Sequence, residues 1–147
     1  MKISTKGRYG TRFMLEVALH TTEKPITIKE AALNQSISEK YLEQIIPSLK
    51  KAGLIRSLRG AQGGYLLNHA PEDITIGTIL RALEGPLAPV DCVLCIGKPD
   101  SSANYCSNMS ECVTIDVWQK VYEAVKQVVD HITLADLVSN YYTKQKK

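Results

Sequence analysis

Four cysteines, Cys92, Cys95, Cys106 and Cys112, fall within 21 residues in the order C-x2-C-x10-C-x5-C. Thiolates hold iron–sulfur clusters, bind soft metals or act as redox-active nucleophiles, so this window carries the densest potential chemistry in the chain. The opening "MKISTKGRYGTRF" lacks the apolar run of a secretory signal, and no apolar stretch is long enough to cross a membrane. A cytoplasmic address is therefore expected, where structural disulfides explain clustered cysteines poorly and metal or redox chemistry explains them better. An iron–sulfur cluster suits four thiolates in a loop that Gly97 and Pro99 can wrap around it. Zinc suits them too, although its paired C-x2-C knuckles are only half present, and metal-free thiol sensing is a third option. The three histidines, His20, His69 and His131, read as surface or capping residues and are assigned no ligand role. No nucleophile–base pair or phosphate loop is visible, so the chain is not expected to be an enzyme.

A second chemistry lies in the charge distribution. Residues 1–65 carry eleven Lys and Arg against five Asp and Glu, whereas the remainder carries seven against ten. A basic front half on an acidic back half is the footprint of a nucleic-acid reader joined to another function, although solvated charge scattered by chance gives the same count.

The elements that must position these groups follow from periodicity. Tyr9, Phe13 and Val17 mark the buried face of a first helix over Gly7–His20. After Pro25, "ITIKEAALNQ" starts a short helix capped by Thr27. Ser38 caps the next, whose inner side is Tyr41, Leu42, Ile45, Ile46 and Leu49; Pro47 should bend it and Gly53 should stop it. The tight "NQSIS" connection makes this pair a helix-turn-helix. "LIRSL" and "GYLLN" then pair as a hairpin around the tip "RGAQGG", completing a winged helix. "DITIGTILRALEGP" gives another helix, starting at Asp73 or Thr75. Periodicity disappears from Leu87 to Glu111, and a long helix follows from about Thr114 to His131, its apolar stripe suited to a partner helix or to the core. A capping box from Thr133 to Asp136 opens a last short helix, and the tail "YYTKQKK" is expected to fray. The predicted fold is mainly α with one small β-hairpin, divided into a winged helix-turn-helix over 1–86, a cysteine-bearing loop over 87–112, and a dimerisation helix with a short helix over 113–140.

In such a module the second helix enters the major groove. That nominates Ser38, Glu39, Lys40, Tyr41, Glu43 and Gln44, with Gln44 suited to adenine, Glu43 to cytosine and Lys40 to guanine or phosphate. Arg59 at the wing suits phosphate or a narrow minor groove, where Gly60, Gly63 and Gly64 let the backbone approach closely. Ser4, Thr5, Lys6 and Arg8, before and at the start of the first helix, are candidate phosphate anchors, and Thr27 joins them as a cap near the same surface. One module reads one half-site, so specific binding to double-stranded DNA implies a homodimer on a palindromic operator.

The stretches "MKISTKGRYG", "SEKYLEQIIPSLKKAGLIRSLRGAQGGYLL" and "ITIGTILRALEGPLAPV" resemble the IscR-like, or Rrf-two, bacterial transcription regulators, over Met1 to about Val138. The resemblance is to the cluster-binding branch that includes IscR, NsrR and RirA, with CymR a close relative. It implies a winged-helix homodimer, in most cases a repressor, whose cysteines hold a 2Fe–2S or 4Fe–4S cluster between the reading domain and the dimerisation helix. Cys106-x5-Cys112 matches the family's last cysteine pair, and both Cys92 and Cys95 are available upstream. The histidine that some members place three residues after the last cysteine is Ile115 here, and Arg8 occupies the region where others carry an acidic ligand. All four cysteines as ligands is the simplest expectation, and three with an unassigned fourth ligand the next. A CymR-like repressor of sulfur metabolism, using thiol switching or a partner protein, is the alternative; a zinc or redox protein whose winged helix serves protein contacts is the other.

Overall fold

A computed structural model of the protein describes residues 2–20, 24–98 and 106–146. Pro99, expected to shape the cysteine loop, lies outside the described residues. Helix α1 (Thr5–Leu19) starts where Ser4 Oγ accepts the Gly7 amide, and buries Phe13, Met14 and Val17. Helix α2 (Ile28–Gln35) opens on a capping box: Thr27 Oγ1 accepts from the Glu30 amide, and the Glu30 carboxylate accepts from the Thr27 amide. It closes at Ser36, which takes the left-handed conformation at φ 52° so that the chain turns within three residues into α3 (Glu39–Lys51).

Ser38 caps α3, and Leu42, Ile45, Ile46 and Leu49 form its buried stripe. The helix continues through Pro47, which sits on the exposed side. Strands β1 (Ile55–Leu58) and β2 (Gly64–Leu67) pair antiparallel with Ile55 opposite Leu67 and Leu58 opposite Gly64. Ile26 adds a bridge on the other edge of β2, exchanging both backbone hydrogen bonds with Tyr65. Helix α4 (Ile76–Glu84) is capped by Thr75, while Asp73 falls in a preceding 3₁₀ turn.

The segment without periodicity is partly structured: Asp91–Cys95 and Met109–Glu111 are 3₁₀ turns. Helix α5 spans Ile115–His131, and α6 runs over Leu134–Gln145. The terminal segment expected to fray is thus helical almost throughout. Thr133 and Asp136 cap α6, and Leu134 and Leu137 fasten it to the core, so Tyr141 and Tyr142 extend an anchored helix. The core collects Phe13 and Met14 from α1, Leu42, Ile45 and Leu49 from α3, Ile55 from β1, Ile79 from α4 and Leu134 from α6.

Candidate nucleic-acid interface and cysteine segment

The outward face of α3 is polar. Glu39, Lys40, Glu43, Gln44 and Lys50 are exposed along one side while the apolar stripe is buried on the other. At 100° per residue this separates the two sets cleanly, so Glu43 and Gln44 are free to face a base edge. Tyr41 lies between the faces, half-buried, its ring edge-on to Tyr9 at 5.5 Å, with the Arg12 guanidinium 5.6 Å from the centre of the Tyr9 ring. Ser38 is spent on the Tyr41 amide and Thr27 on the α2 capping box.

Two flanking segments are fastened to α3. Lys6 Nζ lies 3.4 Å from Ser48 Oγ, which brings the start of α1 against the helix, and Arg8 donates to Thr5 Oγ1 while staying exposed. Lys50 Nζ donates to Ser57 Oγ at 3.0 Å, which holds the hairpin. The tip carries Arg59, exposed, followed by Gly60 at φ 110° with open space around its Cα. Gly64 answers to the hairpin itself: a Cβ there would press on the Ile26 carbonyl, and one on Gly63 would press on the Leu58 carbonyl. Sequence reasoning missed Lys50 and Arg56. Both are exposed basic residues on or beside the hairpin, legible only as charges flanking the glycine tip.

The cysteines differ in setting. Cys95 is 3% exposed, its Sγ 3.8 Å from the Asp91 carbonyl within the 3₁₀ turn that packs against α5. Cys92 and Cys112 are half-buried and Cys106 is exposed. Among the described residues no group of three or more His, Cys, Asp or Glu side chains is gathered for a metal ion. Cys112 stands just ahead of α5 with Sγ 3.3 Å from Thr114 Oγ1. The Thr114 hydroxyl, and after it the amides at the helix start, hold the Cys112 thiol below the usual thiol range.

Helix α5 buries none of its residues fully in the single chain. Val117, Val121, Ala124 and Val128 are all exposed and fall within about 60° of arc around the axis. The other side is docked: Arg81 of α4 pairs with Asp130. At the α5–α6 joint the Ile76 amide donates to Ile132 O at 2.9 Å, and the Leu134 amide to Ile74 O at 2.8 Å.

A helix-turn-helix with a polar outward face, a basic wing and a long helix with an exposed apolar stripe defines a transcription regulator of the winged-helix class. The chain is 44% identical to the protein rrf2 of Nitratidesulfovibrio vulgaris, covering 94% of this chain and 87% of that one. It is similar to the solved structure of CymR, the global cysteine regulator of B. subtilis, at 41% identity and a TM-score of 0.75, covering 95% and 98% of the two chains. The structure of T. potens IscR matches at 44% identity and a TM-score of 0.73, covering 96% and 88%. The Rrf2 family model, described as an iron-dependent transcriptional regulator, matches residues 3–140, and the chain belongs to this family.

Proposed function

We propose that the protein is a homodimeric, cytoplasmic repressor that reads a palindromic operator with α3 and the wing and senses an iron–sulfur state through the 92–112 segment. The observation that carries the sensing half is the placement of Cys112: its Sγ lies 3.3 Å from Thr114 Oγ1, at the head of the helix whose exposed stripe suits a second copy. Gln44, Glu43 and Lys40 read base edges, Arg59 meets phosphate or minor groove, and Ser4, Thr5, Lys6 and Arg8 contact phosphates at the start of α1.

The donor set suits a thiophilic cluster, and the exposed Cys106 with the half-buried Cys92 and Cys112 favours a three-cysteine set over the four-cysteine one, because Cys95 is buried in the turn that packs on α5. A cluster, when bound, supplies a centre sensitive to oxidants and to iron and sulfide supply. The chain does the rest. Val93 is buried in the turn that packs on α5, and α5 is locked to α4 at Arg81–Asp130 and to the head of α4 through Ile132 and Leu134. A displaced turn therefore moves α5 relative to its partner and alters the spacing of the two reading heads, shifting the population that fits the operator.

Anaerobic purification tests this directly, with visible absorption, iron and acid-labile sulfide measured beside operator affinity. Coloured protein whose affinity changes on cluster loss supports the reading. Iron-free, colourless protein that binds the operator with unchanged affinity before and after thiol oxidation refutes it. The lowered Cys112 thiol also favours a second reading, a metal-free thiol switch, for which colourless protein loses affinity on oxidation and regains it on reduction.

A further inference from the structure

We infer that Glu84 is a positioning residue for DNA binding: from the end of α4 its carboxylate holds the first turn of α1 in the arrangement that presents Lys6 and Arg8 to the phosphate backbone. The inference rests on the DNA-binding reading of that segment. Glu84 Oε1 accepts from the Ser4 amide at 2.9 Å and from the Ser4 hydroxyl at 2.8 Å, across 80 residues of sequence. The Ser4 hydroxyl oxygen in turn accepts from the Gly7 amide at 3.2 Å. One carboxylate oxygen thus fixes the residue that caps α1.

Three features set this contact apart from an ordinary surface hydrogen bond. An acid in the last turn of a helix is disfavoured by that helix's own dipole, and Glu84 is the final residue of α4. It faces instead the N-terminal end of α1, where it accepts both hydrogen bonds of the N-cap residue. No cation pairs with it among the described residues. The facing residue is Gly7, where a Cβ would overlap Glu84 Oε1 and lie 2.9 Å from its carboxyl carbon. The first turn is built to receive this carboxylate, and it is the turn that carries Lys6, bonded to Ser48 of α3, and the exposed Arg8.

Loss of the anchor frays that turn, so it removes phosphate contacts and leaves base reading intact. Each phosphate contact contributes about −0.9 to the slope of log affinity against log salt. The test measures anisotropy of a labelled duplex selected from a random-sequence pool by this protein, over about 50 to 200 mM salt. The full-length chain is compared with Glu84→Ala, Glu84→Gln and a Lys6→Ala/Arg8→Ala double variant. Glu84→Ala is expected to flatten the slope by about 2 to 4, one to two phosphate contacts in each of the two copies, and to weaken binding at least about tenfold at the lowest salt, with unchanged ranking of base-substituted duplexes. Glu84→Gln, whose amide oxygen still accepts both Ser4 bonds, is expected to keep the wild-type slope. A Glu84→Ala protein that melts earlier yet keeps the wild-type slope assigns Glu84 a purely structural role and overturns the inference. A glutamine variant as defective as alanine overturns the hydrogen-bonded mechanism. An unchanged slope in the Lys6/Arg8 variant overturns the inference by a different route, because the segment then contacts no phosphate.

Discussion

Replacing Val128 with Asp tests whether α5 is the seam between two copies. Val128 is 59% exposed and Val117 52% exposed, on the exposed side of the helix. Full burial of a valine contributes about 1.5–3 kcal/mol, so completing the burial of Val128 against a partner contributes about 1 kcal/mol. An ionised carboxylate in its place loses that term and adds an uncompensated polar group costing about 1–3 kcal/mol. A two-fold interface meets the change twice, which gives about 4–8 kcal/mol per dimer and about three to six orders of magnitude in dissociation constant. Sedimentation or light scattering should find a dimer for the wild type and a monomer for Val128→Asp. Far-UV circular dichroism should keep its helical signature, because the monomer's core does not use this residue. Operator binding should fall with the dimer, since one reading head spans only one half-site. Leu33→Asp is the control: Leu33 is 80% exposed on α2, away from the stripe. A Val128→Asp protein that stays dimeric, or a Leu33→Asp protein that dissociates equally, would refute the seam.

The remaining predictions concern the cysteines, the reading face and the caps. In anaerobically purified protein, Cys106→Ala and Cys112→Ala should each abolish visible absorption and bound iron, whereas Cys95→Ala should retain both; a colourless Cys95 variant that folds normally would restore the four-cysteine set. Gln44→Ala should cost about 1–3 kcal/mol on the selected operator and relax preference at one base position, while Arg59→Ala should weaken binding evenly across sequences; anisotropy on base-substituted duplexes separates the two. Hydrogen bonds from the Thr27 backbone and then its hydroxyl hold the Glu30 carboxyl below its ordinary range. A depressed folded value means stability that is present above the unfolded carboxylate range and lost as pH falls through the folded one. Glu30→Gln should therefore melt earlier than wild type near neutral pH, with the difference vanishing in acid; a pH-independent difference would rule out the charge.

Much of the fold was legible because local chemistry and burial agree. Ser38 and Thr27 are cap residues by type and are caps in fact, and the stripe Leu42, Ile45, Ile46 and Leu49 is buried as its spacing requires. The segment "YYTKQKK" read as a frayed tail because a polar terminal segment offers no stripe of its own, and the anchoring of Leu134 in the core extends α6 as far as Gln145. Pro47 made the second half of α3 the less certain part from sequence, because of the lost hydrogen bond; it stands on the outer side of a helix that runs on to Lys51. Gly64 was read for its freedom to approach another surface, whereas the crowding at its Cα comes from Ile26, a residue that no local rule brings beside it.

By itself the sequence determined the reading head: alternation, spacing and cap chemistry are local, so a helix-turn-helix and a glycine-tipped wing can be read without knowing what packs on them. It also supplied the inventory of thiols. Only the tertiary structure decided which thiols face outward, because burial of Cys95 comes from the turn it shares with Asp91 and the packing of that turn on α5. The same holds for Glu84, whose partner lies 80 residues away at the start of the chain. Short-range rules set elements, and long-range contacts choose which of their residues meet.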